Sequence, residues 1–365
     1  MSKAATKVYV ALTTIIIILS SLLAVSLMGG FSPSQPPEPE LQTVRVGYLT
    51  GDIHQLSYFV AKNQSVGSGT SFFEKYKLNV TDAAEGGYSS GGTEMDAFAA
   101  GQVDIGFVGA SPAITKRLNS LADTLVIAQA NEIGSALVVA PNISSFTDLI
   151  GKTVAAPSRS SIQYFLLRSL AEQENVSIGD INVVEMGVGN MKLALSSGQI
   201  SAFIAWEPFP SDAVLSGVGK ILFTSNEILP DHLCCVVVVN REFALANPET
   251  VINFLRAHIE ATKWINQTMN KPDSQEYQLL INISTQFTGR NATIVETAFR
   301  NMIYKFDIDQ TFRDSFTSYS DKLIQFGIVN PSKIQAAGYK DLNDFVNRYL
   351  EDGYLRIAKL EENLG

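Results

Sequence analysis

AEGGYSSGGTEMDAFAAGQVDIGFVGASPAI, residues 84–114, holds two turn-to-helix transitions around one short strand. Gly91-Gly92-Thr93 is expected to open a helix that Gly101 closes, with Thr93 as its N-cap. Val103–Val108 reads as a strand. Gly109-Ala110-Ser111-Pro112 then opens a second helix. Each helix start presents unpaired backbone N–H groups and the positive end of a helix dipole. Two such starts at one sheet edge make a place for a small anion or polar ligand. The stretch therefore predicts half of a ligand cleft, with the rest of the chain supplying the other half.

Outward from it, strands alternate with helices. Upstream, Val44–Leu49 and Leu78–Asp82 read as strands, and His54–Asn63 as a helix with Leu56, Phe59 and Val60 at helical spacing. Downstream, strands are expected at Leu125–Ala130, Ala136–Ala140, Thr153–Ala156, Asn182–Glu185, Ser201–Ala205, Lys220–Phe223 and Leu233–Asn240, with helices between them. Ser160 and Gln163 have capping-box spacing at the start of one of those helices. This alternation argues for a wound α/β sheet. After Asn240 it stops, and long helical segments from Pro248 onward are expected to pack on a completed sheet. A restart near Asn131–Ser135 and a return near Asp231–Leu233 predict two lobes joined by a two-segment hinge: lobe 1 from 44–132 plus 233–365, lobe 2 from 133–232.

The chain has 365 residues and a net charge of −9. That balance, with no basic patch, argues against nucleic acid as a partner. Lys3 and Lys7 precede Val8–Met28, an uncharged run long enough for a bilayer core. Residues 1–7 are then a cytoplasmic tip, 8–28 a transmembrane anchor and 29–43 a Pro/Ser-rich stalk, with the folded body outside. The length favours an anchor over a signal peptide cleaved near Ala24-Val25-Ser26, the alternative. Sequons at Asn63, Asn79, Asn142, Asn175, Asn266, Asn282 and Asn291 agree with an extracellular, glycosylated body. Cys234 and Cys235 lie in the apolar run LCCVVVVN. They read as buried core, with a vicinal disulfide or a metal site as alternatives; the pair lacks metal spacing, so no metal is expected.

Catalytic motifs are nearly absent. The three histidines fall in no H-E-x-x-H, Gly151-Lys152-Thr153 lacks the rest of a P-loop, and no G-x-S-x-G occurs. No enzyme and no cofactor are expected. Arg159, flanked by serines in the first turn of a helix, is the candidate for pairing an anionic group, balanced against a solvated arginine. Glu207 follows Trp206 at a strand end; it is read as holding a loop N–H, with a ligand ammonium as the alternative. Trp206 and Tyr48 are read as core aromatics that can also face a ligand. His54 is read as a surface histidine, with a ligand hydrogen bond as the alternative.

EMDAFAAGQVDIGFVGASPAI, IGKTVAAPSRSS, AFIAWEPF and VVVVNREFALANPETVINFLRAHIEATKWI resemble the solute-binding proteins of ABC importers, in the nitrate/taurine/alkanesulfonate group that includes binders of thiamine pyrimidine precursors. The resemblance runs in order from about Val44 to Trp264. It implies a type II periplasmic-binding-protein fold that closes on a small anionic or zwitterionic solute. It also implies a membrane permease and an ATPase as partners. By that likeness the cleft is lined by Tyr48, His54, Gly91, Gly92, Gly109, Ala110, Ser111, Asn131, Gly134, Ser135, Ser158, Arg159, Ser160, Ser161, Met186, Gly187, Trp206 and Glu207. The pyrimidine-synthase relatives have a cysteine-rich motif that this chain lacks. The rival readings are an enzyme of thiamine-pyrimidine-like cofactor biosynthesis on the same fold and a sensor ectodomain. The enzyme needs a nucleophile or an acid–base pair in the cleft. The sensor needs a separate signalling partner, since only residues 1–7 would lie inside.

Overall fold

The computed structural model describes residues 42–119 and 122–364. The expected anchor and stalk lie outside the described residues. Among the described residues no helix is long and apolar enough to cross a membrane. The strands in chain order are β1 Gln42–Gly47, β2 Leu78–Asp82, β3 Ile105–Gly109, β4 Thr124–Glu132, β5 Ser135–Val139, β6 Thr153–Ala156, β7 Asn182–Glu185, β8 Ala202–Trp206, β9 Lys220–Thr224, β10 Leu233–Asn240 and β11 Ile303–Tyr304. They form two sheets. One has the order β11-β4-β10-β3-β1-β2, the other β7-β6-β8-β5-β9.

β10 is the spine of the first sheet. Its run of valines is β-branched and apolar on both faces, as a strand buried from both sides requires. It pairs antiparallel with β3 on one side and β4 on the other. The chain crosses from the first sheet to the second between β4 and β5, and returns between β9 and β10. Both crossings contain left-handed residues: Ile133 (φ 51°) with Gly134 (φ 91°), and Asp231 (φ 49°). A β-branched residue in that region is strained, so surrounding contacts must hold Ile133 there. Its N–H donates to the His232 carbonyl at 3.1 Å, tying the two crossings together.

Three local expectations are corrected. The first sheet is not completed by β10, because β11 adds to its edge against Glu132 and Asn131 of β4. The N-cap of the helix Gly91–Ala99 is Ser90, not Thr93. Ser90 is extended, and its hydroxyl accepts from the Thr93 N–H, while Thr93 pairs back to the Ser90 backbone. Likewise Ser161, not Ser160, caps the helix Ile162–Gln173, accepting from the Tyr164 N–H. In both cases the residue with extended backbone beside the first turn is the one whose oxygen reaches N3.

Candidate functional site

The helix starts anticipated in the sequence meet across the two sheets. A Cβ placed on Gly92 would lie 3.2 Å from the Ser160 hydroxyl, and one on Gly109 would lie 3.0 Å from Ile162. Residues 84–114 thus abut the start of the helix Ile162–Gln173 of the other sheet. Gly91 is required for packing: its Cβ would fall 2.5 Å from Pro112 and 2.9 Å from Val108. Ala110 and Ser111 form the first turn of the helix Ala110–Asn119. The Trp206 indole N–H is buried with no protein partner, while the buried Ser111 and Tyr319 hydroxyls face each other. Unpartnered buried polar atoms mark places where an outside partner is gained at little cost.

Beside this junction lies a cavity of about 760 Å³. The first sheet contributes Tyr48, Thr50, Gly51, Gly86 and Ser89 to it. The second contributes Gly187–Asn190 and Phe209, and the C-terminal helices contribute Gln286–Arg290. Tyr48 and Gly187 are expected site residues found there. Tyr48 donates to Asp82 at 3.1 Å, and Phe59 meets its ring edge-on. Met186 precedes Gly187, its N–H donating to the Ala156 carbonyl. Arg290 is the cation of this wall and pairs with Asp212 at 2.9 Å. Nothing in its local sequence marked it; only the fold brings the C-terminal helices to the cleft.

His54 is the largest departure from expectation. It is buried, not on the surface. Ile53–Gln55 form a single 3-10 turn capped by Asp52, and the apolar Ile53 and Leu56 drag the turn inward. The His54 Nε2–H donates to the Gly134 carbonyl at 2.8 Å, which also accepts from the Glu207 N–H at 2.9 Å. Gly134 has no room for a side chain, since a Cβ would run into the His54 ring and the Met302 sulfur. Next to it, Ser135 accepts from Gln163 and donates its N–H to Ser225. Asn131 accepts from the Cys235 N–H and donates to the Glu132 and Ile133 carbonyls. These residues hold the crossing. Glu207 is buried and accepts from Asn301 at 2.7 Å and the Ser211 N–H at 3.2 Å. Burial raises its pKa against those hydrogen bonds. The N–H it holds belongs to the first turn of the helix Phe209–Leu215 rather than to a loop.

The serine turn is internally bonded. The Ser161 hydroxyl donates to the Ser158 carbonyl at 2.6 Å, and the Ser158 and Ser160 hydroxyls are 3.2 Å apart. Arg159 is exposed, and its guanidinium donates to the Tyr164 hydroxyl and the Val183 carbonyl, both at 3.3 Å. The fold thus unites Gly92 with Ser160 and His54 with Gly134 and Glu207, while Arg159 turns to its own helix and to β7.

A search against family models matches residues 37–278 to the NMT1-like family. The chain belongs to the NMT1-like family. Among curated relatives of this family member, the taurine-binding periplasmic protein of Escherichia coli is 29% identical over 194 residues, covering 50% of this chain and 60% of that protein. A putative binding protein of Brucella abortus is 24% identical over 318 residues, covering 84% of this chain and 92% of its own length. Among solved structures, the nitrate-binding protein NrtA of Synechocystis superposes with a TM-score of 0.69 at 16% identity, covering 88% of this chain and 89% of that one. The chain therefore has the periplasmic-binding-protein fold, and these relatives are binding proteins rather than enzymes.

Asp52, Asn301 and Arg290 are not singled out by the sequence, whereas Cys234 and Cys235 are read from it as buried core, and both are buried. Asp52-x-His54 was a visible signal; the rest depend on partners distant in sequence.

Proposed function

We propose that this chain is the extracellular solute-binding component of an ABC importer. It captures a small anionic or zwitterionic solute of the sulfonate, taurine or nitrate class and delivers it to a membrane permease powered by an ATPase. The observation that carries the reading is the junction itself: two helix starts of one sheet abut a helix start of the other, across two hydrogen-bonded crossings. Lobe 1 is 44–132 with 233–365 and lobe 2 is 133–232, and bending at Ile133–Gly134 and Asp231–His232 opens and closes them. Helix N-termini offer backbone donors to an anion, and Arg290, held at the cavity wall by Asp212, turns its remaining guanidinium N–H groups to the anion. The named ligand classes of the relatives support this choice. Residues 8–28 anchor the body to the membrane. Asn79, Asn142, Asn175, Asn266, Asn282 and Asn291 are exposed, as glycan acceptors must be.

The test is a calorimetric and thermal-shift panel on the full chain in detergent, using taurine, alkanesulfonates, nitrate, bicarbonate and pyrimidines. A true solute at one hundred times its Kd stabilises by about 2.7 kcal/mol. A flat response to the whole panel overturns the reading.

A further inference from the structure

Cys234 and Cys235 are neighbours on a strand, where successive side chains point to opposite faces. Here they do not. The pairing of β10 with β4 shifts register on both sides of Cys235. Such a bulge re-aims a side chain. The Cys235 N–H, taken out of the regular ladder, donates instead to the Asn131 side chain at 3.0 Å. Both sulfurs consequently converge on one ring nitrogen. The His54 Nδ1 lies 3.7 Å from Cys234 Sγ and 3.8 Å from Cys235 Sγ, and the sulfurs are 3.8 Å apart.

We propose that His54, Cys234 and Cys235 form a zinc(II) site. Tetrahedral zinc, with Zn–S of about 2.3 Å and Zn–N of about 2.0 Å, places its ligand atoms about 3.5–3.8 Å apart. The three separations in this cluster match that triangle. The ring is oriented as a metal ligand requires. Its Nε2 donates to the Gly134 carbonyl, which only accepts, so Nδ1 is the nitrogen presented to the sulfurs. Gly134 is itself locked in the left-handed region at the crossing. Both thiols are free and buried. Two thiolates cancel the charge of the divalent ion within the ligand set, with the buried Asp52 carboxyl as a further acid beside it. Soft sulfur with imidazole selects zinc over calcium or magnesium. Asp52 Oδ1 lies 3.0 Å from the same Nδ1 and accepts its proton in the metal-free protein, so zinc must take that proton's place; Asp52 also accepts from the His54 backbone N–H and from Gln55. Three protein ligands leave the fourth coordination position to a small outside ligand. Binding displaces the thiol protons and any proton on Nδ1.

The experiment uses the full chain, without a histidine tag, purified in detergent from zinc-supplied cells. Metal analysis by mass spectrometry is expected to find about one zinc per chain. C234S/C235S, checked for folding by circular dichroism, is expected to lose at least nine-tenths of it. X-ray absorption at the zinc edge of the unmodified protein is expected to show two sulfur neighbours and a histidine nitrogen. That measurement decides the matter even if the variant does not fold. No retained zinc, or a shell of oxygen and nitrogen alone, overturns the site.

Discussion

The two walls that meet at the junction are built by opposite means. The wall from residues 84–114 is shaped by missing side chains: Gly91 and Gly109 let Pro112, Val108 and Ile162 close in. The wall from Ser158–Ser161 is made of hydroxyls, yet these largely bond one another within their own turn. The first wall fixes a shape, and the second presents polar groups that a small rearrangement can release. Backbone shape therefore belongs to the first wall, and side-chain polarity to the second. A glycine and a serine at equivalent helix starts thus carry different loads. One resists replacement because of packing, while the other holds its own turn together.

The contrast is most sharply tested where the walls are joined. Gly134→Ala places a Cβ against His54 and Met302 at a left-handed position. Destabilisation of about 3 kcal/mol or more is expected, read from denaturant midpoints; a tolerated alanine would mean the crossing is slack. Next comes a buried polar group packed against the first sheet. His258 donates through Nε2 to the Gln129 carbonyl and accepts from Ser57, and burial lowers its pKa to about 4. The unfolded chain takes up that proton near the ordinary value of 6.5. Folding stability from this group is therefore intact above pH 6.5, falls as pH drops towards 4, and levels off below. About 3 kcal/mol is at stake. His258→Gln should flatten that part of the stability–pH curve; an unchanged slope refutes the assignment.

A matched pair separates packing from binding within the glycine wall. Gly91→Ala should cost about 2 kcal/mol of stability, because Pro112 and Val108 must move. Gly92→Ala should leave the melting temperature nearly unchanged and weaken solute binding about tenfold, by holding Ser160 away. Equal effects of the two would erase the distinction between the walls. The smallest contrast is between two arginines. Arg290→Ala is expected to weaken an anionic solute about tenfold. Arg159→Ala is expected to change affinity less than about twofold, since its guanidinium already serves Tyr164 and Val183. The opposite ranking by calorimetry would move the anion contact to the serine wall.

Much of this architecture was legible residue by residue. The alternation of strands and helices, the two crossings and the turn-to-helix starts at 91 and 110 follow from local periodicity and from glycine and proline placement, which depend on near neighbours alone. The apolar, β-branched run Leu233–Asn240 read as a strand, and the fold buries it on both faces. Local reasoning placed both caps only approximately, because which of two nearby hydroxyls reaches N3 depends on backbone angles that composition does not set.

What tertiary structure alone decided is the chemistry of the interior. His54 and Cys234 are 180 residues apart. Spacing rules for metal ligands see only short separations, so a cluster assembled from a 3-10 turn and a bulged strand was invisible to them. The same holds for Arg290, which reaches the cleft by packing of helices whose own sequence shows only an apolar face. Strands, helices and crossings follow from the residues themselves, because hydrogen-bond periodicity is local. The fold decided which side chains share one buried space, because burial is a property of the whole chain.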